Sequence, residues 1–195
     1  MSSRSKYLML AASLILVIVF VFPIWNIDLE APQYPEGIGL RIWINQVTGE
    51  KEFDLRNLNG LNHYIGMKEI VPDAIPELKF MPFILAFFIG TGIIFSFTKN
   101  RKFIFVWIVL LLIVMSVGLY DFYMWGYNFG HDLNPHAPIK VPGMSYQPPL
   151  LGTKKLLNIT ATSLPGIGSI LIFISVTLAA LSLFVDKKKR VGANV

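Results

Sequence analysis

Of the 195 residues, 54% are apolar and 13% aromatic, only 15% are charged, and the formal net charge is +5. Soluble domains average about 25% charged residues, so this composition excludes a disordered chain and points to a lipid environment. The absence of cysteine excludes a disulfide scaffold and any thiolate ligand or nucleophile.

Four blocks carry no charge: residues 7–25, 80–97, 103–119 and 164–185. A bilayer core about 30 Å thick is crossed by roughly 17–25 apolar helical residues, so each block predicts a membrane span. The first resembles a signal peptide, but no small-x-small cleavage site follows Pro23 and Trp25, so it predicts an uncleaved anchor.

Residues 26–79 form the first long loop. Ile38, Leu40, Ile42 and Ile44 alternate with Gly39, Arg41, Trp43 and Asn45, the period of a half-buried strand. Thr48-Gly49 predicts a turn, with residues 50–55 returning as a hairpin. Asn59 is placed as an N-cap and Gly66 as the stop of a short helix carrying Leu58, Leu61 and Ile65.

The third span continues past 119 into a Tyr- and Trp-rich interface and is predicted over 103–125. Asp121 then lies about 27 Å from Phe103 along the helix, at the lipid–water boundary. Residues 126–163 form the second long loop. Five prolines between 132 and 149 predict an extended ribbon, and residues 150–158 a short interfacial helix. The predicted fold class is therefore an all-α integral membrane protein: four transmembrane helices under a small extracytoplasmic cap of one β-hairpin and Pro-rich loops.

Charge assigns the sides. Arg4, Lys6, Lys99, Arg101, Lys102, Lys187, Lys188, Lys189 and Arg190 stand with a single acid, Asp186. The first long loop carries nine acids against five bases. The positive-inside rule then puts both termini in the cytoplasm and both long loops outside. The basic residues orient the chain in the bilayer, and nucleic acid is not an expected partner.

Signatures of metalloproteases, serine hydrolases, nucleotide-binding loops and dinucleotide folds are missing. No histidine lies in a span, against a buried bis-histidine haem. No charged pathway crosses the spans, against a pump. The histidines, His63, His131 and His136, all fall in the long loops. Imidazole and thioether are the ligands that suit cuprous copper where thiolate is missing. The candidate copper site is His63 and Met67, four apart on one helical face, with His131 and Met144. Asp121 would orient one imidazole by accepting its other N–H. In the alternative, His63 and His131 bond the cap's own backbone while Met67 and Met144 fill its core. Asp121 is equally placed to pair with Arg41, Lys68 or a histidine.

Four segments, 31–37 (APQYPEG), 59–67 (NGLNHYIGM), 127–135 (YNFGHDLNP) and 141–150 (VPGMSYQPPL), resemble a family of small four-span membrane proteins of Bacteroidetes-type bacteria. Its genes commonly lie beside those for nitrous oxide reductase and its copper accessory proteins. The resemblance implies a non-enzymatic accessory protein of nitrous oxide respiration in the bacterial cytoplasmic membrane, serving copper supply or reductase maturation. Its expected partners are nitrous oxide reductase or its assembly proteins. The rival is an electron-transfer, quinol-linked or partner-docking subunit of a copper-containing respiratory enzyme.

Overall fold

Four helices are long and apolar enough to cross a membrane: Ser3–Val21, Glu77–Phe97, Arg101–His131 and Ile167–Val185. They belong to a computed structural model that describes residues 3–98, 100–139 and 141–191, with the backbone alone for 186–191. Lys99 and Lys140, and the side chains of 187–190, lie outside the described residues. The spans are consistent with a multi-pass membrane protein.

Helix α1 (Ser3–Ile18), extended by a 3-10 turn to Val21, packs chiefly against α5 (Ile167–Val191) and α3 (Glu77–Phe97). Small side chains let these backbones approach. The Ser175 hydroxyl donates to the Ala12 carbonyl at 2.7 Å, and Ser5 to that of Ser182 at 2.8 Å. A side chain on Gly92 would collide with Ser13. Between helices the driving force is such close packing and interhelical hydrogen bonding, since lipid is as apolar as leucine. Helix α4 (Arg101–His131) adds Trp107, whose indole donates to the Phe88 carbonyl at 3.0 Å and meets its ring edge-on. Phe83, Phe105 and Phe173 stay exposed on the outside of the bundle, as a lipid-facing surface requires.

At one end of the bundle the chain folds into an antiparallel sheet, and this corrects the predicted class. Five strands run in the order β3-β2-β1-β5-β4: β1 (Trp25–Ala31), β2 (Tyr34–Ile42), β3 (Val47–Gly49), β4 (Gly152–Leu156) and β5 (Ile159–Pro165). The protein is thus a helical bundle carrying a substantial β domain, not an all-α protein with a small cap. The expected hairpin is only one edge. The centre is β1 against β5, with Trp25 opposite Pro165. The Trp25 indole donates to the hydroxyl of Ser163, 138 residues away, at 2.7 Å. Residues 150–158, expected as a helix, supply β4. Gly152 and Leu157 adopt φ of 93° and 58°, which no right-handed helix accepts.

Register separates the faces. Ile27 pairs with Leu40 and Ser163, and Leu29 with Ile38 and Ala161, so one face is apolar. The other face carries Arg41, within 2.7 Å of Asp28 and 2.8 Å of Glu50. Burial disfavours this guanidinium's charge, but the hydrogen bonds and charges of Asp28 and Glu50 outweigh it and raise its pKa. Residues 50–55 do not return as a strand. Helix α2 begins at Asp54 and ends at Ile65, with Gly66 left-handed at its stop as expected. The Asp54 carboxylate is buried and accepts from the amides of Gly39 at 2.9 Å and Lys51 at 3.2 Å, fastening α2 to β2. Asn59 is no N-cap. It holds the following segment through both hydrogen bonds of the Ile70 backbone.

Sheet and bundle share one continuous joint. α1 runs into β1 and β5 into α5, so the helix pair becomes a strand pair. The Gly166 amide donates to the Ile24 carbonyl and the Gly168 amide to that of Pro23, both at 2.9 Å. A side chain on Gly166 would collide with the Pro23 carbonyl. Gly166→Ala is expected to cost about 1–3 kcal/mol by overpacking, read as a lower thermal midpoint in detergent. Gly118→Ala, where an added Cβ meets nothing within 4 Å, gains up to about 1 kcal/mol of helix propensity. Asp54→Ala strands two amide donors and is expected to cost about 1–3 kcal/mol.

Candidate functional site

Helix α4 has 31 residues, about 46 Å at 1.5 Å per residue, and so overruns a bilayer core. Its projecting end presents Phe122, Trp125 and Phe129, spaced i, i+3 and i+7 on one face, to the apolar face of the sheet. Trp125 lies 4.3 Å from Phe129 between ring centroids, and Phe122 lies 5.3 Å from Trp25.

Sheet and helix end do not close fully on each other. Between them lies a cavity of about 410 Å³. Ile27, Leu29, Leu40 and Ile159 supply its sheet wall, and Leu58, Leu61 and Ile65 the α2 wall. Trp125, Gly126 and Phe129 form the third side. The strap, residues 137–139 and 141–149, closes the fourth through Ile139, Tyr146 and Pro148. Among the described residues no charged side chain lines it. Pockets for small molecules run about 300–1,000 Å³ and are largely apolar.

Backbone contacts set the strap. The Tyr146 amide donates to the Gly130 carbonyl at 2.9 Å, Ile139 to Tyr64 at 2.9 Å, and Asn134 to Gly66 at 2.8 Å. Gly130 has to be glycine, because a Cβ there would collide with the backbone of Gln147. Tyr146 is 4% exposed, and its buried hydroxyl has no hydrogen-bond partner among the described residues. The rim is the end of the sheet farthest from the bundle: Gln33 in the β1–β2 turn and Leu157 in the β4–β5 turn. Leu157 is held left-handed at a cost of about 1–2 kcal/mol.

His63 and Met67 lie at the end of α2, and His131 at the end of α4. The two helix ends meet, for besides the Gly66–Asn134 bond the Lys68 ammonium is 2.6 Å from the Asp132 carboxylate. Both imidazoles are exposed. His131 stacks on Tyr127 at 4.0 Å, and its Nδ1 lies 3.0 Å from the Tyr127 carbonyl, the backbone bond of the alternative reading. His63 meets only the edge of Tyr64, at 6.1 Å. Met67 is half-buried in the cavity wall, and Met144 is half-buried in the strap. Among the described residues no three His, Cys, Asp or Glu side chains form a metal-binding group. Asp121 stands ten residues before His131, about 15 Å along the helix, so another group faces that imidazole. Its other expected partners are engaged elsewhere, Arg41 with Asp28 and Glu50, and Lys68 with Asp132.

Nothing in the sequence alone predicts the cavity. Its signals are the aromatic stripe at 122, 125 and 129 and the alternation of polar and apolar residues over 26–31 and 159–163. Each is visible alone, but not that they face one another. Neither a scan against protein-family profiles nor a search of curated proteins finds a match to this chain.

Gly130→Ala is expected to lift the strap from α4, seen as new limited-proteolysis cleavage between 141 and 149, with the bundle intact. Lys68→Ala removes a pair whose side chains are 52% and 72% exposed, and is expected to shift stability by under about 1 kcal/mol.

Proposed function

We propose that this chain is a non-enzymatic accessory protein of nitrous oxide respiration, embedded in the bacterial cytoplasmic membrane with its sheet domain outside. It serves copper supply to, or maturation of, nitrous oxide reductase. One observation supports the reading above the others. The four segments that carry the family resemblance, far apart in sequence, all contribute to the wall of one cavity: Tyr34, Met67, Phe129 and Tyr146 come from one segment each. In this reading copper is cargo. His63 and His131 would hold it from the two joined helix ends, with Met67 and Met144 as the soft ligands that favour the cuprous state.

Deletion of the gene in a nitrous-oxide-respiring host is the test. The expected result is reductase with lowered copper content and lost activity, restored by the wild-type chain and not by His63→Ala/His131→Ala. Normal copper content in the deletion strain overturns the reading. Sidedness is checked on the cysteine-free chain by single substitutions. Gln33→Cys is expected to react with a membrane-impermeant maleimide on intact cells, and Asn100→Cys only after lysis.

The quinol-linked or partner-docking reading draws on the uncharged lining of the cavity. Haem or flavin bands in the spectrum of the purified protein would favour its electron-transfer form.

A further inference from the structure

The cavity poses a physical problem. A volume of about 410 Å³ has room for roughly fourteen waters at about 30 Å³ each. Such waters want two to four polar partners apiece, yet the side chains lining the interior are mostly aliphatic and aromatic. The one hydroxyl sealed within the lining, that of Tyr146, has no partner among the described residues. That oxygen has almost no exposed surface, so it gives the cavity's contents no polar partner, and a hydrocarbon chain, which needs none, suits these walls.

Shape narrows the ligand. Ile27 pairs beside Ser163, and Ile159 lies four residues further along β5, so the cavity extends at least about 13 Å along the strands. On the other side of Trp125 and Gly126 lies a separate small cleft of about 10 Å³, walled by Phe122, Pro149 and Leu150. The mouth, at Gln33, Tyr64 and Leu157, faces away from the bundle. Tyr64 and Leu157 are exposed there, with Ile139 beside them, so apolar side chains share the opening with Gln33 and Asn158.

We propose that this cavity binds the elongated, uncharged hydrocarbon part of a lipid-type molecule, an acyl or isoprenoid chain. The chain enters from the aqueous side, carried by a soluble or membrane-attached donor, and not laterally from the bilayer. The inference rests on the preceding reading only in taking the sheet domain as the working part. Lipid binding can fail while the respiratory phenotype stands, and the reverse.

The test uses the full chain in nanodiscs and the fluorescent polyene methyl parinarate, with empty nanodiscs as blank. Saturable binding above the blank is expected. Gly126→Leu places a side chain where an added Cβ meets nothing within 4 Å, and leucine favours the helix more than glycine does. This variant is expected to fold and to bind at least about tenfold more weakly, a filled-site effect of about 1.4 kcal/mol. Displacement by methyl palmitate alone identifies an acyl ligand, by geranylgeraniol alone an isoprenoid. Displacement by both supports the shared chemistry. Partition no greater than into empty nanodiscs, displacement by neither, or undiminished binding by a folded Gly126→Leu overturns the proposal.

Discussion

The close approach of Pro23 and Ile24 to Gly166 and Gly168 governs this molecule. At that point two antiparallel helices become two antiparallel strands, with only residues 22–24 on one chain and Gly166 on the other between them. Any Cβ at 166 would force the chains apart, and the Ser169 hydroxyl adds a bond to the Ile24 carbonyl at 2.6 Å. The sheet is therefore an extension of the bundle and not a tethered cap. Its apolar face is turned towards α2 and the projecting end of α4.

That helix has two jobs. Over its first twenty residues α4 packs Ile104, Trp107 and Leu111 into the bundle core. Over its last eleven it offers aromatics to the sheet. A helix end and a twisted sheet have mismatched curvature, so contact at Trp25 and Phe122 leaves a gap further out. The strap spans that gap without filling it. Prolines at 138, 142, 148 and 149 deny it helix and ladder alike, which suits a segment that must lie flat across α4 at Gly130.

The spans were legible because each is a long run without charge, a signal that needs no partner to be read. The helix stop at Gly66 was legible for the same reason, being local. The sheet was not. Residues 26–31 alternate Asn, Ile, Asp, Leu, Glu and Ala, but the strand that shelters Ile27 and Leu29 on one side lies beyond two further spans. Residues 150–158 mislead more actively. Leu150, Leu151, Lys154, Lys155 and Leu156 suit a helix by composition, and only backbone conformations at Gly152 and Leu157 decide otherwise. The candidate copper ligands show the same limit. Sequence spacing put His63 with Met67, and the structure joins their helix end to that of His131, while Asp121 stands about 15 Å along α4 from His131. The cavity, whose walls come from every part of the outer chain, had no local signature.

The β1–β5 pair also imposes an order on biosynthesis. Trp25 emerges from the ribosome 138 residues before Ser163. Through that interval β1 can pair with β2 on one side only, and its other edge is bare. An unpaired edge with apolar neighbours invites association with other chains, and pairings of such long sequence separation form slowly. The domain's central seam is thus sealed last, when the fourth span is inserted and β5 is drawn into place beside β1. Until then the nascent protein has the character of an open sheet held at a membrane surface.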